Sequence, residues 1–236
     1  MTVIDKADRF TAEQSTTPWR RWAILGALVG ALIAGIYAVY FSSLLTVRQE
    51  RVLGAVHVSA DAVRQAAAVA PGIQLARVDT NAVADRVGAL GWVQSVEVRR
   101  GWPNVLVIVV TERTPVAVVP VGQVFSFVDG SGTIFEVLPK VPPTTPLLIA
   151  RNATARATGS AILASLPPAF RSTVTRVVAQ SRDNVILTLP GSAWVQWGSA
   201  DDSARKYAVL AALLHLHARA YDVSAPDLPT TRGTLS

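Results

Sequence analysis

An uncharged run at residues 22–47 limits what this chain of 236 residues can fold into. A helix rises about 1.5 Å per residue, so residues 22–45 would cover about 36 Å, enough for a hydrocarbon core of about 30 Å. A helix buried in a soluble core rarely stays uncharged on every face over this length. A cleaved signal peptide is disfavoured because the run is too long and no small-residue cleavage site follows it. The run therefore predicts a transmembrane helix at 22–45.

Aromatic and basic side chains flank the predicted helix, where the two membrane interfaces would lie. Such residues favour the headgroup region. The predicted interface residues are Trp19, Arg20, Arg21, Trp22 and Tyr40. Basic residues are slightly more frequent before the span than in the first twenty residues after it, which favours a cytoplasmic N-terminus. The polar composition of residues 1–21 predicts a disordered cytoplasmic tail.

Small residues recur within the predicted helix at Gly26, Gly30 and Ala34. This spacing lets two membrane helices approach closely and makes the three residues candidates for helix pairing. A span rich in alanine and glycine also produces the pattern by chance, so both interpretations stay open.

The composition excludes several classes of function. The chain has no cysteine, which excludes disulfides and thiolate metal sites. Its net charge is +6, but the basic residues are scattered instead of forming the stripe that nucleic-acid binding usually shows. The sequence therefore predicts no nucleic-acid partner and makes the lipid bilayer the expected partner of the span.

Residues 46–115 alternate between short strand-like and helical patterns. A strand-like run at 47–58 is broken at Gly54, and two amphipathic helices follow. The run 105–110 is apolar on both faces, as expected of a central strand. Because a lone hairpin is marginal in water, the order strand, helix, helix, strand, strand predicts a three-stranded sheet with both helices on one face.

Three motifs in this region resemble, in the same order, those of the POTRA domain of the bacterial FtsQ/DivIB cell-division family. They are Gly54 with Val58-Ser59, then Gly91-Trp92-Val93 to Trp102-Pro103, then Glu112-Arg113-Thr114-Pro115-Val116-Ala117. The resemblance continues through residues 116–225, which look like the β domain of that family. It implies an α+β fold in which a single transmembrane helix precedes a β-α-α-β-β POTRA domain and a mostly antiparallel β domain with flanking helices.

The β domain shows a series of short patterns bounded by turn residues. They predict strands at 125–128, 133–138, 147–150, 173–180, 184–189, 194–197 and 221–225, and helices at 161–166 and 201–218. Residues 226–236 contain two prolines and predict a C-terminal tail.

Few residues point to chemistry. Ser203 and Lys206 match the S-x-x-K motif of penicillin-binding enzymes, but none of that family's other motifs follows. The pattern favours a helix start capped by the serine, with the lysine in solvent. The sequence therefore predicts no catalytic residue, no metal site and no cofactor.

The resemblance implies a non-enzymatic bitopic scaffold at the division septum of the plasma membrane, with residues 48–236 outside the cytoplasm. The implied partners are FtsB- and FtsL-like bitopic division proteins, and possible further ones are the septal peptidoglycan synthase and its glycan-polymerising partner. Two alternatives stay open, namely a POTRA-containing transport or secretion component and a membrane-anchored cell-wall enzyme.

Partner binding is expected at the C-terminal end of the β domain, as the resemblance implies. The candidate edge strand comprises Tyr221, Asp222, Val223, Ser224 and Ala225. An edge strand offers unpaired backbone groups to an incoming strand. Trp102, in the turn of the POTRA domain, is the second candidate.

Overall fold

The computed structural model describes residues 18–41 and 45–234. The predicted tail therefore lies, up to residue 17, outside the described residues. The described chain forms one N-terminal helix, a small α+β domain and a larger β domain, which is the predicted fold class.

Helix α1 spans Pro18–Phe41 and begins four residues before the predicted span. Its segment Trp19–Val39 is the one stretch among the described helices that is long and apolar enough to cross a membrane. The described side chains from residue 19 to 38 are all exposed, which is the pattern of a helix that contacts lipid and not a protein core.

The first domain has the predicted β-α-α-β-β order. Its elements are β1 (Gln49–Leu53), α2 (Ala60–Ala67), α3 (Thr80–Gly88), β2 (Val93–Gly101) and β3 (Val105–Glu112). Strand β3 is central, as its two apolar faces predict, with β1 parallel and β2 antiparallel to it. Ser59 and Asp79 cap α2 and α3, since their side chains accept hydrogen bonds from backbone N–H groups in the first turns of these helices.

Strand β1 ends just before Gly54, where the sequence pattern predicted a break in the run 47–58. The φ of Gly54 is +80°, and a Cβ at this position would lie 2.1 Å from the carbonyl oxygen of Val110 on the neighbouring strand. Only glycine adopts this φ and allows this close contact with Val110 without strain. The strand therefore ends at Leu53 and has five residues within the predicted run 47–58.

The second domain is built on one large sheet. Its elements are β4 (Pro115–Val121), β5 (Val124–Asp129), β6 (Ile134–Leu138), β7 (Leu147–Ala150), α4 (Ala153–Ser165), α5 (Pro168–Arg171), β8 (Arg176–Ala179), β9 (Val185–Thr188), β10 (Trp194–Gln196), α6 (Ser203–Leu213), β11 (Ala218–Asp222) and β12 (Thr230–Thr234). The strand order is β12-β11-β10-β9-β8-β7-β4-β5-β6. Pairing is parallel between β4 and β7, β7 and β8, and β10 and β11, and antiparallel elsewhere.

Each domain has its own hydrophobic core. In the first domain α2 and α3 cover the sheet, with Val63, Val87 and Ile108 among the buried residues. In the second domain α4 and α6 lie on one face of the sheet, and Ile162 and Leu210 pack there.

Two predicted helices have different bounds in the structure. Helix α4 begins eight residues before its predicted start at 161, because the side chain of Asn152 accepts a hydrogen bond from Ala155 N and caps the helix there. Small and polar residues in its first two turns obscure the helical period. Helix α6 ends at Leu213, before its predicted end at 218, because a 3₁₀ turn and the left-handed His217 (φ +50°) redirect the chain into β11.

Candidate functional site

At the C-terminal end of the large sheet the edge strand is β12, not the predicted strand 221–225. Strand β11 ends at Asp222 and lies between β10 and β12, so the prediction that Tyr221–Ala225 forms an edge is wrong. The part of the chain predicted as a tail contains β12, which pairs antiparallel with β11, from Ala218 opposite Thr234 to Asp222 opposite Thr230. No described strand pairs with the other side of β12.

The predicted edge residues instead anchor β11 in the domain. Tyr221 and Val223 are buried in the core, and the Tyr221 hydroxyl oxygen accepts a hydrogen bond from Ala218 N. Val223 N donates to the carbonyl oxygen of Gln196 on β10. Asp222 Oδ1 accepts from the backbone and the hydroxyl of Ser224, which turns the chain out of the strand.

The segment between β11 and β12 is held loosely on the surface. Arg205 of α6 forms an ion pair with Asp227, and both side chains are largely exposed. Leu228 is also exposed. Because exposed ion pairs contribute at most about 1 kcal/mol, this loop contributes little to the stability of the edge that it leads into.

A carboxylate clamp occupies the junction between the two domains. Glu112, at the end of β3, accepts hydrogen bonds from the backbone N–H groups of Val56, His57 and Val58 and from the ring of His57. Burial raises the pKa of Glu112, but these hydrogen bonds outweigh it and lower the pKa to about 2. The clamp fixes the loop that follows Gly54.

An aromatic cluster continues the junction into the β domain. Trp92 stacks on His57 with ring centroids 4.3 Å apart, and it meets Phe127 and Phe135 edge-on at 5.9 and 5.1 Å. A Cβ at Gly91 would lie 2.6 Å from the carbonyl oxygen of Phe135 on β6. Glycine at this position therefore allows the POTRA domain to contact the backbone of β6.

A buried ion pair completes the junction. Arg113 Nη1 lies 2.5 Å from Asp129 Oδ2, and the side chains are only 20% and 8% exposed. Burial raises the pKa of Asp129, but hydrogen bonds from Ser131, Arg113 and Thr133 lower it overall. We call this set the interdomain joint, and it consists of His57, Gly91, Trp92, Glu112, Arg113, Phe127, Asp129 and Phe135.

The S-x-x-K pair does not form a base–nucleophile pair. Lys206 is 2% exposed, so the prediction that it lies in solvent is wrong, and its ammonium donates to the carbonyl oxygen of Ser199 at 3.0 Å. Burial lowers its pKa, partly offset by three nearby aspartates. Ser203 is not the cap either: its hydroxyl donates to Ala200 O at 2.8 Å and accepts from the Trp197 indole at 3.2 Å. Both side chains therefore stabilise the turn before α6.

The other predicted site residues lie in exposed positions. Trp102 is 53% exposed in the turn between β2 and β3, and its role in binding stays a prediction. Around Gly26 and Gly30 no heavy atom other than those of adjoining residues and the helix's own backbone lies within 4 Å of an added Cβ, and Ala34 is exposed. Within α1 the side chains of Trp19, Arg20, Arg21 and Trp22 are exposed as well, whereas that of Tyr40 lies outside the description.

Sequence reasoning missed β12 and the aromatic partners of Trp92. Two threonines begin β12, and β-branched residues favour strands, so a weak signal was present. Pro226 and Pro229 before it and Gly233 within it indicated a loop instead. Phe127 and Phe135 gave no signal of their own, because only the folded hairpin places them beside Trp92.

Comparisons with known proteins agree with this architecture. Residues 45–113 match the profile of the POTRA domain, FtsQ-type, and residues 117–228 match that of the cell division protein FtsQ/DivIB, C-terminal. The cell division protein FtsQ of Streptomyces bingchenggensis is 35% identical over 228 residues, which cover 90% of this chain and 86% of that protein. That of Mycolicibacterium smegmatis is 37% identical over 215 residues, and this chain spans 64% of its length.

One solved structure is also similar, that of the major extracytoplasmic domain of the cell division protein DivIB from Geobacillus stearothermophilus. It is 24% identical, covers 44% of this chain and 97% of its own, and has a TM-score of 0.36, too low to support the fold. The two profile matches and the Streptomyces relative decide the assignment. The chain belongs to the FtsQ/DivIB family of cell-division proteins.

Proposed function

We propose that this chain is a non-enzymatic bitopic scaffold of the divisome. Its N-terminus lies in the cytoplasm, and both folded domains lie on the outer side of the plasma membrane at the division septum. It holds FtsB- and FtsL-like partners and through them helps regulate septal peptidoglycan synthesis. The family membership and the single apolar helix support a membrane-bound role in cell division.

The observation that carries the partner role is the free strand β12. An antiparallel edge strand directs alternate N–H and C=O groups away from its neighbour, so an incoming strand can accept hydrogen bonds from the former and donate to the latter. Residues 230–234 contain no proline, so every N–H group that faces away from β11 is available, whereas Pro229 limits the pairing at one end. We therefore place the docking of an FtsB-like partner strand on β12 instead of on residues 221–225.

Two adjacent threonines provide a matched test. Of Thr230 and Thr231, one directs its N–H towards β11 and the other directs it outward. Thr230→Pro and Thr231→Pro remove the same side chain and one N–H each, so we expect one variant to melt at a lower temperature. The other should stay folded and lose the partner in co-purification from membranes. Normal capture by the folded variant would contradict docking on β12.

A second measurement keeps the proposal testable if both proline variants unfold. The chain has no cysteine, so Thr231→Cys creates a unique crosslinking site on β12. We expect it to crosslink to the FtsB-like partner in living cells, whereas Val137→Cys on the opposite edge strand β6 should not. Equal crosslinking from both positions would show that the partner does not select β12.

Orientation has its own test. Leu228 is exposed, so Leu228→Cys should react with a membrane-impermeant maleimide in intact cells if the β domain lies outside the cytoplasm. Labelling that requires broken cells would reverse the proposed topology.

The septal location is tested separately. A fluorescent protein fused to the chain should collect at midcell, and a uniform envelope signal would contradict placement at the septum.

A further inference from the structure

The chain enters the POTRA domain at one end of its sheet, where three loops meet. Arg48 N and Gln49 N both donate to the carbonyl oxygen of Asn104, in the turn between β2 and β3. Val47 N donates to the carbonyl oxygen of Ile73, which holds the loop after α2 beside the same segment. We call this surface the entry end, and it comprises residues 46–48, 70–77 and 101–104.

Further hydrogen bonds hold the loops of the entry end together. The guanidinium of Arg100, at the end of β2, donates to the carbonyl oxygens of Leu75 and Val78 at 3.0 and 2.7 Å. Thr46 also forms an isolated β-bridge with Gln74. These contacts fix the three loops relative to one another, so the entry end is one continuous surface.

The path of the chain keeps the entry end close to the membrane that α1 spans. Residue 48 follows Phe41, the last residue of α1, by seven positions. An extended chain covers at most about 3.6 Å per residue, so this segment reaches at most about 25 Å. Helix α1 also approaches the 3₁₀ turn Leu75–Arg77, which belongs to the entry end.

The β domain is attached at the other end of the POTRA sheet. Strand β2 runs from Val93, beside the interdomain joint, to Gly101 at the entry end, and its nine residues cover about 26 Å at about 3.3 Å per residue. The β domain therefore leaves the entry end uncovered, and Pro71, Gly72 and Trp102 are exposed there.

The entry end combines an exposed aromatic ring with positive charge. Trp102 is 53% exposed. Unlike the indole of Trp197, which donates to Ser203, that of Trp102 has no hydrogen-bond or ring partner among the described residues. Arg48 and Arg77 are exposed, and the sequence of the entry end contains no acidic residue.

We propose that the entry end docks on the lipid surface beside α1, with Trp102 in the headgroup region and Arg48 and Arg77 against anionic headgroups. Tryptophan favours this region because its indole joins an apolar ring to one N–H donor. A basic side chain near an anionic lipid surface strengthens association about fivefold. Docking fixes the orientation of the POTRA domain on the membrane, and through the interdomain joint it fixes the position of the β domain.

The inference requires only that α1 spans a membrane. It holds for either orientation of the chain, and it does not involve β12. The proposed topology and the proposed partner strand can therefore fail without it, and it can fail without them. Capture of the FtsB-like partner by the same variants shows which proposal has failed.

The test uses the full-length protein in lipid nanodiscs with one nitroxide label, because the chain has no cysteine of its own. Ala70→Cys reports on the entry end, and Ser95→Cys near the interdomain joint is the matched control, since both positions are exposed. Oxygen collects in the bilayer and a nickel chelate stays in water, so the ratio of their collision rates with the label measures its depth. We expect a higher oxygen-to-nickel ratio at residue 70 than at residue 95.

Two further substitutions in the Ala70→Cys protein separate docking from simple proximity. Trp102→Ala should lower the oxygen-to-nickel ratio at residue 70 to that at residue 95, because the tether alone does not hold the entry end among the headgroups. Arg48→Gln should weaken docking about fivefold in nanodiscs that contain phosphatidylglycerol and leave it unchanged in pure phosphatidylcholine. Both side chains are exposed, so neither change should alter the melting temperature or the capture of the FtsB-like partner.

Three outcomes would overturn the proposal. They are equal ratios at residues 70 and 95, a ratio at residue 70 that Trp102→Ala leaves unchanged, and an equal effect of Arg48→Gln in the two lipids. Loss of partner capture in Trp102→Ala, with residue 70 in water throughout, would make the exposed indole a protein contact instead. A low ratio at residue 70 with normal partner capture would refute this inference alone and leave the scaffold function standing.

Discussion

The two edges of the large sheet are exposed to different degrees. At β6, Gly91 and Trp92 of the POTRA domain lie against Phe135, so another part of the same chain contacts the edge strand. At β12 no described strand pairs with the outer side, and the loop leading into it is held by an exposed ion pair. The difference teaches that the POTRA domain restricts access to the β6 edge, whereas the β12 edge stays open to pairing with a further strand.

The ion pair of the interdomain joint and the ion pair beside β12 offer the sharpest contrast. Arg113→Ala would leave Asp129 nearly buried without its cation, and removing one partner of a buried pair costs about 3–5 kcal/mol. We expect the low end of this range, since Ser131 and Thr133 still donate to the carboxylate. Chemical unfolding of the full chain in detergent measures the loss. A change below about 1 kcal/mol would mean that the joint does not couple the domains.

Trp92→Ala removes the aromatic centre of the interdomain joint. The variant loses three ring contacts at once, and because Trp92 is only partly buried we expect a cost of about 2 kcal/mol, below that of a core tryptophan. We expect a lower melting temperature and faster proteolysis near residues 113–116. Trp102→Ala is the matched control, because that ring is exposed and its loss should change stability by about 0.5 kcal/mol or less. Equal effects of the two variants would contradict the joint.

Glu112→Gln tests the clamp through pH. The pKa of Glu112 is about 2 in the folded protein against an ordinary value of 4.5, so its contribution is complete above pH 4.5 and is lost as the pH falls towards 2. At pH 7 the variant should lose about 1.5–3 kcal/mol, the usual value for hydrogen bonds to a charged group.

Between pH 5 and pH 3 the wild-type protein should lose more stability than Glu112→Gln. Asp129 titrates in the same direction in both proteins and cancels in the difference. The exposed Asp61→Asn serves as the control, with a pH profile close to that of the wild type. Parallel profiles for the wild type and Glu112→Gln would contradict the clamp.

The smallest effect is expected at the open edge. Arg205→Ala breaks an ion pair between two largely exposed side chains, so stability should change by about 0–1 kcal/mol, and less in high salt. The same unfolding measurement used for Arg113→Ala gives the comparison directly. A loss as large as that of Arg113→Ala would show that the two edges are held with similar strength.

Local patterns were enough to predict much of the fold. The uncharged run 22–47 predicted the apolar helix, because a helix in a soluble core rarely stays uncharged on every face over this length. Periodic patterns predicted the POTRA order, since strands and helices impose periods that the sequence must follow, and the two apolar faces of 105–110 predicted the central position of β3. The motif Glu112-Arg113 was recognised as a family feature, although its physical role was not evident.

Only the tertiary structure decided which groups meet. Glu112 binds the backbone of residues 56–58, more than fifty positions away, and no local period encodes such a contact. The edge strand is Thr230–Thr234 and not the predicted segment 221–225. Pairing with β11 makes this short segment a strand despite its weak strand propensity and the two prolines before it. Lys206 is buried because its helix packs on the sheet, and a carbonyl group of the turn just before that helix accepts its hydrogen bond.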